Sequence, residues 1–240
     1  MARGQTGLVS ILTVAVVAAV MAGGCGNGGY HYTKNTKYGV YFKVPSTWGR
    51  FSADDLLLHT YEDSPDKQPS IQGLKAVLQR QWYVGYDGSG PANAVHLPLG
   101  GDRPVVRVKA RELLKSERDH FTLDTLRVAD LPITQDALDQ ARTDEAQAKQ
   151  NNPRGQAVDP NFQTLRDDEL HKKGFRGVHY TFNLRVDSAG VTLQTFDIIG
   201  WVNEAVTIEY LMVTTCTNAC FTVHQSDFTT IASSFTVREQ

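Results

Sequence analysis

Three runs of alternating residues near the carboxyl end constrain the fold more than any other feature of this chain. Residues 177–186 read GVHYTFNLRV, in which every second residue from Val178 to Val186 is apolar. Residues 191–202 and 206–216 follow after short connections. A period of two is typical of strands with one buried face. Because parallel strands need long crossovers, such short connections predict an antiparallel meander.

Other segments add strands and helices to this meander. Val40, Phe42 and Val44 alternate with polar residues before Pro45, and residues 76–90 and 102–114 carry further strand patterns. Ser52 is placed to cap a short helix, and residues 116–132 are ambiguous between helix and strand. We predict an α+β fold in which an antiparallel sheet of about six or seven strands is covered by helices.

Two later segments are predicted to be helical. Residues 133–150 are very polar, with a thin apolar stripe of Leu138 and Ala141, and we expect an exposed helix inserted into the domain. Near the end, Phe228, Ile231 and Phe235 recur at the spacing of one helix face. The Thr and Ser residues between them are poor helix formers, so tertiary packing must hold this last helix.

The amino-terminal segment has the pattern of an export signal. Arg3 is the one charge before Cys25, and an apolar run from Leu8 to Met21 ends in small residues. This run is shorter than the roughly 18 apolar residues expected of a membrane span. It therefore indicates a secretory signal over residues 1–24.

Cys25 stands where such a signal would be cleaved. The segment Ala22-Gly23-Gly24-Cys25 resembles the lipobox of bacterial lipoproteins, with Ala22 where leucine is commonest. The resemblance implies lipidation of Cys25, by diacylglycerol on its sulfur and acylation such as palmitate on its amine, after cleavage. Residues 25–37 would then be a flexible tether that holds the domain at the cell membrane, facing the extracytoplasmic side. The alternative is a freely secreted protein in which Cys25 has no role.

Composition narrows the classes of partner and of site. The formal net charge is −2 and no strongly basic patch occurs, which argues against a nucleic-acid partner. Cys216 and Cys220 remain as a pair once Cys25 is set apart, and outside the cytoplasm we predict that they form a disulfide across a turn at residues 217–219. Half of a zinc site is the alternative, but a second cysteine pair is lacking, so we predict no metal site and no cofactor.

Two segments resemble the Mog1/PsbP-like superfamily. Residues 38–48, YGVYFKVPSTW, are similar to its opening strand, and residues 228–237, FTTIASSFTV, to its closing helix. The meander between them is similar to the central sheet of that family. The resemblance implies an α/β/α sandwich over residues 38–240 as a single domain. Since the family has no common catalytic residues, the resemblance transfers no functional residue to this chain.

No arrangement of residues predicts a catalytic site. The glycine-rich YDGSGP segment near Gly88 lacks the features of a phosphate loop, and the Ser64–Lys67 spacing is placed in a loop by its prolines. His120 could pair with Asp119 or Glu117, and these would suggest a hydrolase if they met His179 or His224 in a pocket. His179 lies on the polar face of its strand, which could line a ligand groove or face solvent.

We therefore predict a protein without enzymatic activity, lipid-anchored in the envelope, that binds a partner such as another envelope protein or a cell-wall component. A hydrolase acting outside the membrane is the alternative from a different class. A small-ligand carrier is a third possibility, and it requires a sizeable cavity beside the sheet.

Overall fold

The computed structural model describes residues 29–55, 76, 79–129, 131, 134–151, 162–186 and 192–239. The predicted signal over residues 1–24, Cys25 and the Ser64–Lys67 segment lie outside the described residues. The described strands are β1 (Tyr30–Asn35), β2 (Val40–Pro45), β3 (Gly49–Ser52), β4 (Gln81–Asp87), β5 (Val105–Glu112), β6 (Phe162–Lys172), β7 (Phe175–Arg185), β8 (Leu193–Asn203), β9 (Ile208–Thr217) and β10 (Thr236–Val237).

The described helices follow the same chain order. They are α1 (Lys115–Arg118), α2 (Leu123–Val128), α3 (Gln135–Asn151), α4 (Asn218–Val223) and α5 (Gln225–Ser234). The ambiguous segment before Pro132 is thus helical. Its local hydrogen bonds explain why, because the Glu117 carboxylate accepts from the Leu114 amide at 2.6 Å and the Thr125 hydroxyl accepts from the Thr122 amide at 3.3 Å, as N-terminal caps do.

The strands form two antiparallel sheets. A seven-stranded sheet has the order β3-β4-β5-β9-β8-β7-β6, and a three-stranded sheet has the order β1-β2-β10. The α+β class and the large antiparallel sheet of seven strands confirm the fold predicted from the sequence. The meander is its β7-β8-β9 part, with Phe182 opposite Phe196 and Ile198 opposite Val213 in the register.

Alternation along β7 divides the large sheet into two faces. The first face carries Val178, Tyr180 and Phe182, and helices α2 and α3 cover it through Leu126 and Leu138, both fully buried. Each such buried aliphatic or aromatic side chain contributes about 1.5–3 kcal/mol of transfer free energy. The apolar face predicted from the sequence is therefore the covered face.

The second face of the large sheet changes character along the strand order. Across β4, β5 and β9 it is apolar, and the small sheet and α5 cover it with a cluster of side chains that includes Val40, Phe42, Phe228 and Ile231. Across β7 and β8 the same face carries polar residues. Helices α4 and α5 lie beside this polar part, and together they form the site described below.

Three expectations need correction. Residues 30–35, assigned above to the flexible tether, form β1, which pairs along its length with β2 from Tyr30↔Pro45 to Asn35↔Val40. Helix α3 is not simply an exposed insertion, because Leu138 is buried in the core and Glu145 is 9 % exposed. The segment between the two cysteines is not a free turn but the beginning of α4.

Candidate functional site

A cleft of about 600 Å³ lies between the polar part of the second face and helices α4 and α5. Its volume is within the range of small-ligand sites. The floor comes from β7 and β8, one rim from β6 and the wall from the two helices. Its lining residues include His179, Thr181, Thr195, Asp197, Ile199 and Asn218.

Asp197 is the charged centre of the cleft floor. Its Oδ1 atom lies 2.8 Å from Nε2 of His179 and accepts a hydrogen bond from the Thr181 hydroxyl at 2.5 Å. The Asp197 side chain is 10 % exposed and that of His179 is 16 % exposed. Register explains the grouping, because Thr181 is directly opposite Asp197 and His179 is two residues away on the same face of β7.

A second polar group lies beside this centre. The Asn183 amide oxygen accepts from the Thr195 hydroxyl at 2.7 Å, and its amide nitrogen donates to Gln163 at 3.2 Å. Asn218, at the start of α4, reaches the same Asn183 oxygen at 3.4 Å. Buried amides are costly unless they are paired, so this chain of hydrogen bonds fixes the floor as a rigid polar surface.

The wall of the cleft is apolar and aromatic. The rings of Phe221 and Phe228 stack with centroids 4.6 Å apart, and both residues line the cleft together with Ala232. Ile199, two residues beyond Asp197 on β8, extends this apolar surface onto the floor. The cleft therefore places a buried carboxylate and hydrogen-bonding groups beside an aromatic surface.

The two cysteines hold α4, one of the two helices that supply this wall. A disulfide joins Cys216, at the end of β9, to Cys220 in α4, and both residues are buried. Between them, the Thr217 hydroxyl accepts from the Cys220 amide at 3.4 Å, which is the capping interaction of a helix start. The bridge thus fixes the direction in which α4 leaves the sheet.

The structure does not bring together the residues of the hydrolase alternative. Glu117 forms an ion pair with Arg111 at 2.6 Å and Asp119 forms one with Lys115 at 2.9 Å, while His120 is exposed. His224 is near Asp227 at 3.3 Å and is absent from the cleft lining. Of these residues, His179 alone lies in the cleft.

The YDGSGP segment is an ordered loop whose centre is Asp87. This buried carboxylate accepts from the Ser89 amide and hydroxyl, from the Asn93 amide at 2.8 Å and from His96 Nδ1 at 2.6 Å. Burial by itself raises the pKa of Asp87, but the hydrogen bonds from His96, Asn93 and Ser89 outweigh it and hold that pKa below its usual value. The loop follows β4, near one edge of the seven-stranded sheet, whereas the cleft lies on β7 and β8, near the other edge. It is therefore separate from the cleft and supports the fold.

The described residues contain neither a metal-binding cluster nor a membrane-spanning helix. Within them, no three His, Cys, Asp or Glu side chains are grouped closely enough to hold a metal ion. In the same part of the chain, none of the helices combines the length and the apolar character needed to cross a bilayer.

Asp197 is the charged residue of the candidate site that the sequence pattern did not single out. It lies inside the apolar run of residues 191–202, where a single acid between Phe196 and Ile198 is the available signal. A charged residue within a buried strand needs a partner. His179 and Thr181, on the polar face of β7, supply this partner. The pairing can be recognised only when the register between β7 and β8 is known.

Comparison with known proteins gives distant structural similarity. No family model matches the chain, and no match is found among curated proteins. Cyanobacterial PsbP of Synechocystis is similar with a TM-score of 0.42 and 16 % identity, over 90 % of this chain and 96 % of that one. LpqN, described as involved in cell envelope biogenesis of Mycobacterium tuberculosis, has a TM-score of 0.42 and 10 % identity, over 88 % and 91 %.

A third solved structure is the Ran-binding protein Mog1p of Saccharomyces cerevisiae. Its TM-score is 0.36 at 8 % identity, over 87 % of this chain and 95 % of that one. The similarity concerns the fold.

Proposed function

We infer that this chain is a binding protein without enzymatic activity, and that it binds its partner or ligand in the cleft between the sheet and helices α4 and α5. The observation that carries this proposal is the composition of the cleft floor. His179, Thr181, Thr195 and Asp197 are polar side chains on the inner face of a sheet, yet they line an open volume of about 600 Å³.

The cleft is supported on rigid elements, as a binding site requires. Its floor belongs to β7 and β8, which each have a neighbouring strand on both sides in the seven-stranded sheet, and its polar groups are fixed by the hydrogen bonds of Asn183 and Asp197. Helix α4, one of the two helices that form its wall, is held by the Cys216–Cys220 bridge. Preorganisation of this kind lowers the entropic cost of binding.

The anchoring part of the proposal concerns Cys25. The apolar run, the lipobox-like segment and the disulfide all favour an extracytoplasmic location. Acylation of Cys25 would hold the protein at the cell membrane. Because β1 begins at Tyr30, five residues after Cys25, the tether spans at most about 17 Å. The domain would therefore stay close to the lipid headgroups, within reach of another envelope protein or a cell-wall component.

A site-specific crosslink tests the binding role. A photo-reactive phenylalanine analogue at Thr222, on the cleft wall, is expected to capture a discrete partner in native cells, and the same analogue at exposed Asp144 on α3 is the control. Equal capture from both positions, or none from Thr222, would contradict the proposal.

Metabolic labelling tests the anchor separately. A fatty-acid analogue is expected to label the wild-type chain and to be absent from a Cys25→Ala variant, which should also leave the membrane fraction. Label or full membrane association in that variant would overturn the anchoring proposal without touching the cleft.

The hydrolase alternative has one observation in its favour, the close contact of His179 with Asp197 in the cleft. A histidine oriented by a carboxylate is the usual general base of hydrolytic sites. In the described part of the chain, however, the Thr181 hydroxyl donates to the same carboxylate and not to the imidazole. Hydrolysis of chromogenic esters by the wild type, with loss in His179→Ala, would favour this alternative.

A further inference from the structure

The Asp197 carboxylate has one oxygen that the fold leaves available to the cleft. Both hydrogen bonds that it accepts from described residues, those of His179 and Thr181, end on Oδ1. Within the same described residues, Oδ2 receives no hydrogen bond, although Asp197 is 8 % exposed and lines the cleft. A carboxylate at such low exposure is stable when each oxygen has a donor, so Oδ2 is set to receive one from a ligand.

The charges around the cleft determine what sort of donor fits. Arg166 on the β6 rim is already paired with Asp168, with Nε and Oδ2 2.6 Å apart. Among the described residues that line the cleft, Asp197 is the one acidic side chain. The floor of the cleft is therefore anionic at its centre, which favours a positively charged ligand group.

The wall distinguishes an organic cation from a metal ion. Phe221 and Phe228 present aromatic rings at the cleft, and Ile199 and Ala232 add aliphatic surface. Metal cations in proteins need several oxygen or nitrogen ligands, whereas an ammonium group is attracted both by a carboxylate and by aromatic faces. The apolar surface then accommodates a hydrocarbon chain attached to the ammonium.

We propose that the cleft binds a primary alkylammonium group, with the ammonium donating to Oδ2 of Asp197 and the alkyl chain against Phe221 and Phe228. This inference rests on the proposed binding function and names the chemistry of its ligand. Amine-bearing components of an envelope, whether on a lipid headgroup, a peptide or a polyamine, share this group.

Three compounds with the same six-carbon chain, one cationic, one neutral and one anionic, test the proposal. Hexylammonium, 1-hexanol and hexanoate are titrated into the full chain held in zwitterionic phospholipid nanodiscs, with empty discs as the blank. Amide and side-chain NMR signals of the cleft residues report where each compound binds. Hexylammonium is expected to bind at the cleft at least about tenfold more tightly than 1-hexanol, since a charge-assisted hydrogen bond replaces a neutral one.

Two variants and one matched control give the residue assignment. Asp197→Asn is expected to remove the preference for hexylammonium over 1-hexanol, and Asp144→Asn, the same change on an exposed face of α3, is expected to keep it. Should Asp197→Asn fail to fold, Ser233→Trp blocks the cleft from an exposed position on its wall and leaves Asp197 in place. That variant is expected to weaken hexylammonium binding by at least about tenfold.

The outcomes separate this inference from the proposed function. If 1-hexanol or hexanoate binds the cleft as tightly as hexylammonium, or if Asp197→Asn keeps the preference, the amine assignment is wrong and the cleft remains a binding site. If none of the three compounds shifts the cleft signals, the amine assignment is again wrong. The proposed binding function is tested independently of these compounds: it is wrong if the crosslinker at Thr222 captures no partner.

Discussion

The Thr195 hydroxyl donates a hydrogen bond to the Asn183 amide oxygen, with 2.7 Å between the two oxygen atoms. This bond joins neighbouring strands β8 and β7 beneath the cleft, and the two residues are 1 % and 4 % exposed. These two side chains thus satisfy each other, which explains how they can be buried on this face of the sheet.

Removal of the Asn183 side-chain amide should destabilise the fold, because several other side chains depend on it for their hydrogen bonds. In Asn183→Ala, Thr195, Gln163 and Asn218 each lose a partner in a buried or partly buried place. We expect a loss of about 1–3 kcal/mol in the free energy of unfolding, measured by urea titration. Gln140→Ala, on the exposed side of α3, is the matched control and should change that value by less than about 0.5 kcal/mol. Similar values for the two variants would show that the network contributes nothing.

Asp87 should give the fold a specific dependence on acid. Its pKa is lowered in the folded state, because the hydrogen bonds from His96, Asn93 and Ser89 outweigh the effect of burial. Its stabilising contribution is therefore complete above the unfolded pKa, near 4, and is lost as the pH falls through the lower folded value. We expect Asp87→Asn to be less stable at neutral pH.

The difference between wild type and Asp87→Asn is the quantity to measure. Free energies of unfolding at intervals from pH 7 to pH 2 should converge as the wild-type carboxylate becomes protonated. Asp136→Asn, an exposed acid in the first turn of α3, is the control and should run parallel to the wild type. If the difference in free energy of unfolding between the wild type and Asp87→Asn stays constant down to pH 2, the prediction that folding lowers the pKa of Asp87 is wrong.

The Cys216–Cys220 bridge should stabilise α4 more than the sheet. It closes a loop of few residues, so the chain-entropy estimate gives about 2 kcal/mol. Reduction is expected to raise the rate of amide hydrogen exchange in α4 while the β7–β9 amides stay protected. Mass measurement after alkylation, with and without reductant, checks that the pair is oxidised in the native protein. Alkylation of both thiols without reductant would rule out the bridge.

Leu138 should anchor the polar helix α3 to the sheet. It is fully buried among Phe162, Tyr180 and Phe182, although most of its helix is polar. Leu138→Ala is expected to cost about 2–5 kcal/mol in the free energy of unfolding, through lost burial and the cavity that remains. Gln147→Ala, at an exposed position of the same helix, should be close to neutral. A small effect at Leu138 would mean that α3 does not dock.

The strands with one buried face were predictable from the sequence. The alternation along β7 follows from the burial of Val178, Tyr180 and Phe182 on one of its faces. The short connections between β7, β8 and β9 allow antiparallel pairing, because parallel pairing would need longer crossovers. Strand β6 escaped prediction because FQTLRDDELHK is an edge strand with charges on both sides and little apolar periodicity. Strand β1 escaped because YHYTKN is largely exposed and is held by pairing with β2.

The site was predictable to a smaller degree than the fold. The polar face of β7, with His179 and Thr181, can be recognised in the sequence. However, polar residues are expected there whether the face is exposed to solvent or lines a ligand groove. What distinguishes the two cases is the position of α4 and α5 over that face, which depends on tertiary packing. The pairing of His179 with Asp197 likewise depends on the register between two strands.

The small sheet links the beginning and the end of the described fold. Strand β2 is its central strand, with β1 on one edge and β10 on the other, where Val40 is opposite Val237. A chain emerging from the ribosome therefore lacks one edge of this sheet until Thr236 and Val237 have been made. Contacts so distant along the chain slow folding, so the native state should be reached after residue 237 has been added, and a chain shortened before Thr236 should leave β2 with a single neighbour.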